Sequence, residues 1–107
     1  MAQKEVTFRS DAYLAWVRTL PCANCRASAP SQAHHRIGHG RVSTVKTSDL
    51  EAMPLCVTCH TLLHNQGWVA FEMVNQCQLR MSLETINTAL SMGVIEVIRS
   101  VAEDLAR

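Results

Sequence analysis

Apolar and polar positions in the 107-residue chain form short runs that predict a mixed α+β fold. In residues 10–18 a serine precedes apolar residues spaced three apart, which predicts an N-capped amphipathic helix that ends before Pro21. Two short extended segments are predicted around residues 32–35 and 53–55, and the glycine-containing stretch 36–49 between them predicts a loop. The first half of the chain therefore contributes one helix and two strands.

The second half of the chain carries helical periodicity. Four helical segments are predicted, at 57–65, 68–78, 82–90 and 94–106. Ser82 is suited to cap the third segment, and Gly67 and Gly93 mark a helix end and a break or bend. The broad apolar face of the last segment is expected to pack on the centre of the molecule, with a dimer interface as the alternative.

Composition narrows the class of protein. Apolar residues make up 48% of the chain and charged residues 18%, which excludes disorder. Runs of about 20 apolar residues and a signal-peptide core are lacking, so we expect no membrane segment and a cytoplasmic location. A single domain over 1–107 is predicted, with a metal-binding core at about 18–67 and a helical packing layer at about 68–107.

The cysteines indicate a metal site. Four of the five form two C-x-x-C pairs, Cys22 with Cys25 and Cys56 with Cys59, and an odd total excludes complete disulfide pairing within the chain. Four thiolates around Zn²⁺ make a closed tetrahedral site, which is structural. The alternative is four ordinary buried thiols. Cys77 lies among apolar residues and is predicted to fill the core.

The histidines indicate a second, open site. His34 and His35 are adjacent on a predicted strand, so their side chains point to opposite faces. His60 and His64 are four residues apart on a predicted helix and share one face. Three imidazoles (His34, His60 and His64) leave coordination positions for water, which is typical of a catalytic metal site. The alternative is a purely structural domain with two zinc ions.

The run LPCANC…AHHRIGHG…SDLEAMPLCVTCHTLLH resembles the HNH endonucleases, which are ββα-metal nucleases braced by a zinc knuckle. Its paired histidines and H-x-x-x-H spacing are similar to those of the nuclease colicins. The surrounding residues are more specifically similar to a group of small prophage-encoded proteins. That group includes an uncharacterised family often found near phage recombination genes and a recombination-enhancing nuclease that acts on DNA coated by a RecA-type recombinase. The resemblance covers about residues 18–95.

The resemblance implies roles for four of the five histidines. His35 would be the general base, and His34, His60 and His64 would hold a catalytic divalent ion. An imidazole accepts a proton from water readily near pH 7, and the ion would contact the scissile phosphate and the departing 3′ oxygen. Mg²⁺ is expected as that ion by its availability, whereas three imidazoles suit Zn²⁺, Mn²⁺ or Ni²⁺ better.

One residue of the family pattern is replaced. The asparagine that steadies the base histidine in the family is absent between His35 and Cys56. Asp49 and Glu51 are the nearest candidates, and Asp49 is preferred because it precedes a leucine as that asparagine often does. A carboxylate there would hold His35 through one ring N–H.

Charge is distributed unevenly along a chain of net charge +1. Residues 1–66 carry a net +3 and residues 67–107 a net −2, so a polyanion is expected to meet the first part. The candidates for contacts with flanking phosphates are Arg36, Arg41 and Lys46, and the alternative for each is a solvated loop residue.

The predicted function is a metal-dependent DNA endonuclease of low sequence specificity in phage or prophage DNA recombination or processing. Its expected partners are DNA and a RecA-type recombinase or phage recombination protein, and its expected state is a monomer or a dimer. The alternative function is a non-catalytic, zinc-braced module that holds DNA or a recombination protein without cutting.

Overall fold

A strand, a 3-10 turn, a second strand and a helix follow one another at the centre of the molecule. The computed structural model describes residues 7–38 and 47–96. The elements in chain order are α1 (Asp11–Val17), β1 (Gln32–His35), the 3-10 turn (Asp49–Glu51), β2 (Ala52–Leu55), α2 (Val57–Gln66), α3 (Trp68–Val74) and α4 (Gln78–Ser91). These elements confirm the predicted α+β class. None of the helices in the two described ranges is long and apolar enough to cross a membrane.

Helix α1 begins at the predicted cap. The Ser10 hydroxyl accepts the backbone N–H of Tyr13 at 3.1 Å, which satisfies one of the free donors of the first turn. Tyr13 and Val17 are buried and form a small apolar cluster with Ala89 of α4. This cluster attaches the N-terminal helix to the C-terminal one.

The sheet has two antiparallel strands. In its register His34 of β1 lies opposite Met53 of β2, and His35 lies opposite Ala52. All four residues of β2 are buried, whereas β1 is only partly covered. The main core packs on β2 and contains Cys22, Ala23, Met53, Leu55, Cys59, Leu63, Phe71 and Met81.

Helix α2 starts at the second C-x-x-C pair. Cys56 is its N-cap, and the Cys56 sulfur accepts the N–H of Cys59 at 3.4 Å. The helix ends as predicted at Gly67, whose φ of +85° lies in the left-handed region that glycine adopts without strain. The fully buried Leu63 holds the helix on the core. Its neighbours His60 and His64 are thereby placed beside β1.

Gly38 lies close to the start of α3. Its φ is +77°, and a Cβ atom at this position would overlap the indole ring of Trp68. Only glycine therefore permits both the backbone conformation and the close approach of the ring. The contact ties the segment that follows β1 to the first residue of α3.

The helix predicted over residues 68–78 is interrupted. α3 ends at Val74, and α4 begins at Gln78. The intervening residues bind Asn24 instead of continuing the helix: the Asn24 amide donates to Asn75 Oδ1 at 3.1 Å, and the Gln76 N–H donates to Asn24 Oδ1 at 3.0 Å. These contacts with a residue about 50 positions earlier override the local helical pattern.

Two predictions about single residues in this region are wrong. Ser82 does not cap a helix, because it lies buried one turn inside α4 and donates its hydroxyl to the Leu79 carbonyl at 2.9 Å. Cys77 does not fill the core, because it is exposed at the N-cap position of α4. Both errors follow from the earlier start of α4.

Helix α4 ends at Ser91, and Gly93, with φ of +73°, lies just beyond it, where a break or bend in the helical pattern was predicted. The Val94 N–H donates to the Ala89 carbonyl at 2.8 Å, and residues 94–96 are not helical. Ile95 packs against the cluster formed by Tyr13 and its neighbours. The remainder of the helix predicted over 94–106 lies outside the described residues.

Candidate metal centres

The four paired cysteines converge at one point. The sulfurs of Cys22, Cys25, Cys56 and Cys59 all lie within 4.8 Å of one another, and those of Cys25 and Cys56 are 3.7 Å apart. Zn–S bonds of ~2.3 Å in a tetrahedron separate the sulfurs by ~3.8 Å. The cluster thus has the dimensions of a structural zinc site, as the C-x-x-C spacing predicted.

N–H groups surround these sulfurs. The backbone N–H of Cys25 points to Cys22 Sγ at 3.5 Å, and the side-chain amide of Asn24 points to Cys59 Sγ at 3.3 Å. Burial opposes the ionisation of Cys22, but neighbouring backbone N–H groups outweigh it and lower the pKa of this thiol to about 7. The Cys22 thiolate, which is the form that binds metal, is accessible near neutral pH, whereas burial raises the pKa of the Cys59 thiol to about 12.

Three histidines form a second cluster. The ligand nitrogens of His34, His60 and His64 lie within 4.8 Å of one another. The ring centroids of His34 and His60 are 4.8 Å apart, as are those of His60 and His64. His34 is buried, His60 is half-buried and His64 is exposed, so the cluster opens to solvent on the His64 side. Three imidazoles so placed suit a divalent ion with further positions open to water or phosphate.

Burial keeps the innermost ligand neutral. His34 is 3% exposed, and burial, with smaller contributions from the neighbouring imidazoles, lowers its pKa to about 4. Burial and the charge of His64 also lower the pKa of His60. A neutral imidazole has the free lone pair that a metal ion requires.

His35 has a different partner from His34. Its Nε2 lies 2.8 Å from Oδ1 of Asp49, and the other carboxylate oxygen accepts the Ser10 N–H at 2.7 Å. Asp49 is 4% exposed, and Arg9 Nη1 stands 3.4 Å from its Oδ1. The carboxylate is therefore held rigidly, and it occupies one ring nitrogen of His35 while Nδ1 remains as the second.

The Asp49 carboxylate makes stability depend on pH. Its burial acts to raise the pKa, but hydrogen bonds from His35 and Ser10 outweigh this and leave the pKa below its ordinary value. A depressed pKa in the folded state means that the stabilisation is complete above the unfolded pKa of about 3.9 and is lost as pH falls through the folded pKa.

Asp49→Asn is expected to reduce the free energy of unfolding at pH 7 by about 1.5–3 kcal/mol, the range for hydrogen bonds to charged groups. The difference from the wild type should narrow as the pH is lowered below about 4, because the wild-type carboxyl then takes up its proton. Urea unfolding between pH 3 and 7 measures both quantities. Asp11→Asn, at an exposed position in α1, is the control. If the free energy of unfolding of Asp49→Asn differs from that of the wild type by the same amount at every pH, the depressed pKa of Asp49 is contradicted.

The comparisons with known proteins place these clusters in a family. A family model described as "Protein of unknown function (DUF968)" matches residues 1–93, which include both clusters. The chain belongs to the DUF968 family. It is similar to "Uncharacterized protein YdfU" of Escherichia coli (strain K12), at 42% identity over 84 residues.

The alignment of this DUF968 chain with YdfU covers 78% of the chain and 24% of YdfU. The chain therefore spans about a quarter of the length of the curated relative it matches. No solved structure matches the chain.

Of the three basic residues predicted to contact phosphates, the structure describes Arg36. The Arg36 guanidinium binds Glu51 Oε1 through Nε at 3.0 Å and through Nη2 at 2.7 Å. Glu51, the second candidate for the asparagine position, thus contacts Arg36, and Asp49 contacts His35. Arg41 and Lys46 lie outside the described residues, and phosphate contact remains a prediction for all three basic residues.

Three residues around the two clusters in this DUF968 chain were missed by sequence reasoning. Asn24 contacts the cysteine cluster, and Gln32 and Gln78 contact the histidine cluster. The sequence offers one signal, for Gln78: it lies in helical spacing with the buried positions of α4. A polar side chain on a buried stripe needs a buried partner.

Proposed function

We propose that the chain is a metal-dependent DNA endonuclease of the ββα-metal (HNH) type that hydrolyses phosphodiester bonds with little sequence preference. The observation that carries the proposal is the placement of two chemical units on adjacent residues of β1. His34 belongs to the open three-histidine cluster, and His35 is paired with the buried carboxylate of Asp49. A candidate ion site and a candidate base thus involve adjacent residues of β1.

The order of elements supports the same proposal. β1, β2 and α2 follow in sequence, with one cysteine pair before β1 and the other at the start of α2. This is the order expected for a ββα-metal core braced by a zinc knuckle. A structural metal contributes directly to folding, so a metal ion bound by the cysteine cluster would stabilise the core that includes Cys22 and Cys59.

The mechanism assigns one task to each residue. His35 accepts a proton from the attacking water at its second ring nitrogen, while Asp49 holds the ring and stabilises the imidazolium that forms. His34, His60 and His64 bring one ring nitrogen each to a common point. Imidazole ligands carry no negative charge, so they would leave the charge of a bound cation undiminished. A divalent ion held by these three residues would supply electrostatic stabilisation of the negative charge that develops during phosphodiester hydrolysis.

The donor set bears on the choice of ion. Mg²⁺ prefers oxygen ligands, whereas neutral imidazoles favour Zn²⁺, Mn²⁺ or Ni²⁺. We therefore place the borderline transition ions ahead of Mg²⁺, which was expected from availability alone. Assays with each ion in turn decide the order.

The proposed partners follow from the low charge. A net charge of +1 supports only modest affinity for DNA, because affinity grows with the number of phosphates neutralised. Delivery by a RecA-type recombinase or a phage recombination protein would compensate. The proposal includes a reducing, cytoplasmic setting, in which the paired cysteines remain thiolates.

The double variant His60→Ala with His64→Ala is expected to lose nicking of supercoiled plasmid and its exchangeable ion together, while the zinc of the cysteine cluster stays bound. Agarose gels with Mg²⁺, Mn²⁺ or Zn²⁺ measure nicking, and elemental analysis counts the ions. Asn65→Ala, an exposed position on the same helix, is the control and should cut like the wild type.

Nicking by the double variant at the wild-type rate would contradict the assigned metal site. The same assays use single-stranded, duplex and recombinase-coated DNA. If the wild type cuts none of them but binds DNA, the non-catalytic module is the correct function.

A further inference from the structure

The side chain of Gln78 is buried, and its amide makes all the hydrogen bonds that it can form. It is the first residue of α4 and is 0% exposed. Its Nε2 donates to the Ile37 carbonyl at 3.0 Å and to Glu72 Oε2 at 2.9 Å. Its Oε1 accepts the Ile37 N–H at 3.1 Å and lies 2.9 Å from Nε2 of His34. The two donors and two acceptor positions of the amide are all used.

These contacts determine which end of the amide faces His34. The backbone N–H of Ile37 can only donate and its carbonyl can only accept, so the oxygen and nitrogen of Gln78 cannot be exchanged. The Gln78 oxygen therefore faces His34 and must accept a hydrogen from it. This places the hydrogen of the neutral imidazole on Nε2 and the lone pair on Nδ1.

The lone pair of His34 points into the histidine cluster. Nδ1 of His34 lies 3.1 Å from Nε2 of His60. His60 repeats the arrangement, because its other nitrogen, Nδ1, lies 2.6 Å from Oε1 of Gln32. In each of these two imidazoles, one ring nitrogen contacts a glutamine side-chain oxygen and the other faces the histidine cluster. Metal-binding histidines generally have such an acceptor on the nitrogen that faces away from the ion.

We propose that Gln78 is a positioning residue that holds His34 in its Nε2–H tautomer, so that Nδ1 is presented to a divalent transition-metal ion; this inference rests on the metal site of the proposed function and not on catalysis. The carboxamide is neutral, so it orients the ligand without adding negative charge. The bound cation would keep its full charge for an anionic phosphodiester. Gln78 also ties the ligand strand to α4, since the same side chain binds the backbone of Ile37.

Gln78→Met retains the size of the side chain and removes all four hydrogen bonds. We expect it to weaken binding of Zn²⁺ or Co²⁺ at the histidine cluster by about 10–100-fold, the usual effect of removing an outer-shell partner. Titration of protein whose cysteine cluster is already loaded measures this affinity. Thr85→Val is the matched control, because Thr85 is buried on the same helix and its hydroxyl bonds only a local carbonyl, that of Met81 at 2.8 Å.

Gln78→Glu keeps an acceptor toward His34, but it sets a carboxylate oxygen against Glu72 Oε2 and the Ile37 carbonyl in place of the two amide donors. We therefore expect a lower unfolding midpoint than that of Gln78→Met together with a higher metal affinity, and this opposite order separates positioning of His34 from general destabilisation. Imidazole ¹⁵N NMR of the wild type tests the tautomer without any substitution. We expect hydrogen on Nε2 of His34, and coordination through Nδ1 after Zn²⁺ is added.

The outcomes separate the inference from the proposed function. Hydrogen on Nδ1 of His34, or affinity of Gln78→Met within about twofold of the wild type, would overturn the role of Gln78. A wild type that takes up no second ion would overturn both proposals. A wild type that binds the ion through Nδ1 but never cuts DNA would remove the nuclease function and leave the positioning role intact.

Discussion

His35→Ala is expected to lower the rate of DNA nicking by about 10²–10⁴-fold, the usual contribution of a general base, while both metal sites remain loaded. His35 contacts the Asp49 carboxylate at 2.8 Å and is not one of the three clustered ligands. Its removal should therefore leave the affinity for the exchangeable ion unchanged. Single-turnover nicking at saturating ion, together with metal analysis of the same sample, measures both quantities.

Asp49→Ala supplies the matched comparison for this variant. If Asp49 acts only by holding the base and stabilising its charged form, the double variant His35→Ala with Asp49→Ala should be no slower than His35→Ala alone. Additive losses would show that Asp49 has a separate task. Nicking by His35→Ala at the wild-type rate would remove His35 from the mechanism, even if the metal-site variants behave as proposed.

Cys22→Ser is expected to unfold the domain at ordinary temperature. The apparent binding free energy of a structural Zn²⁺ in a small zinc-finger peptide is about 10–16 kcal/mol, which is comparable with the whole stability of a domain of about 5–15 kcal/mol. Cys22 is fully buried, and its partner Cys56 is the N-cap of α2, the helix that carries two of the clustered histidines. Loss of the cysteine site should therefore remove the histidine site as well.

Cys77→Ser is the control for this experiment. Cys77 is exposed and is not one of the four clustered cysteines, so the variant should keep its zinc and its thermal midpoint. Circular dichroism and zinc content measured on both variants provide the comparison. A Cys22→Ser protein that stays folded with the wild-type midpoint would show that the cysteine cluster does not hold the fold together.

Much of the fold could be predicted because its signals are local. The cap of α1 at Ser10 and the stop of α2 at Gly67 both depend on residues within one turn of the helix end. The break after Val74 could not be predicted in this way. It depends on hydrogen bonds to Asn24, which lies about 50 positions earlier and is brought close only by the folded core.

The candidate site, too, was predicted from local signals in part and decided by long-range contacts in part. The pairing of thiols within each C-x-x-C and of His60 with His64 was indicated by sequence, because these turn and helix spacings direct both side chains of a pair the same way. That the two cysteine pairs meet was predicted from the four ligands that a structural zinc ion requires. The sequence left Asp49 and Glu51 as candidate partners of His35 and favoured Asp49. The choice was decided by the 3-10 turn, which buries Asp49 beside Ser10 and leaves Glu51 with Arg36.

By itself, the sequence determined the ligand types, their pairing by spacing and the α+β class, since each depends on contacts between near neighbours in the chain. The tertiary structure alone decided which polar groups stand behind the histidines. Gln78 meets His34 across 44 residues, and the Ser10 N–H meets the Asp49 carboxylate across 39. Such partners are selected because a buried polar atom must find a hydrogen bond wherever packing places it, and no local pattern encodes that place.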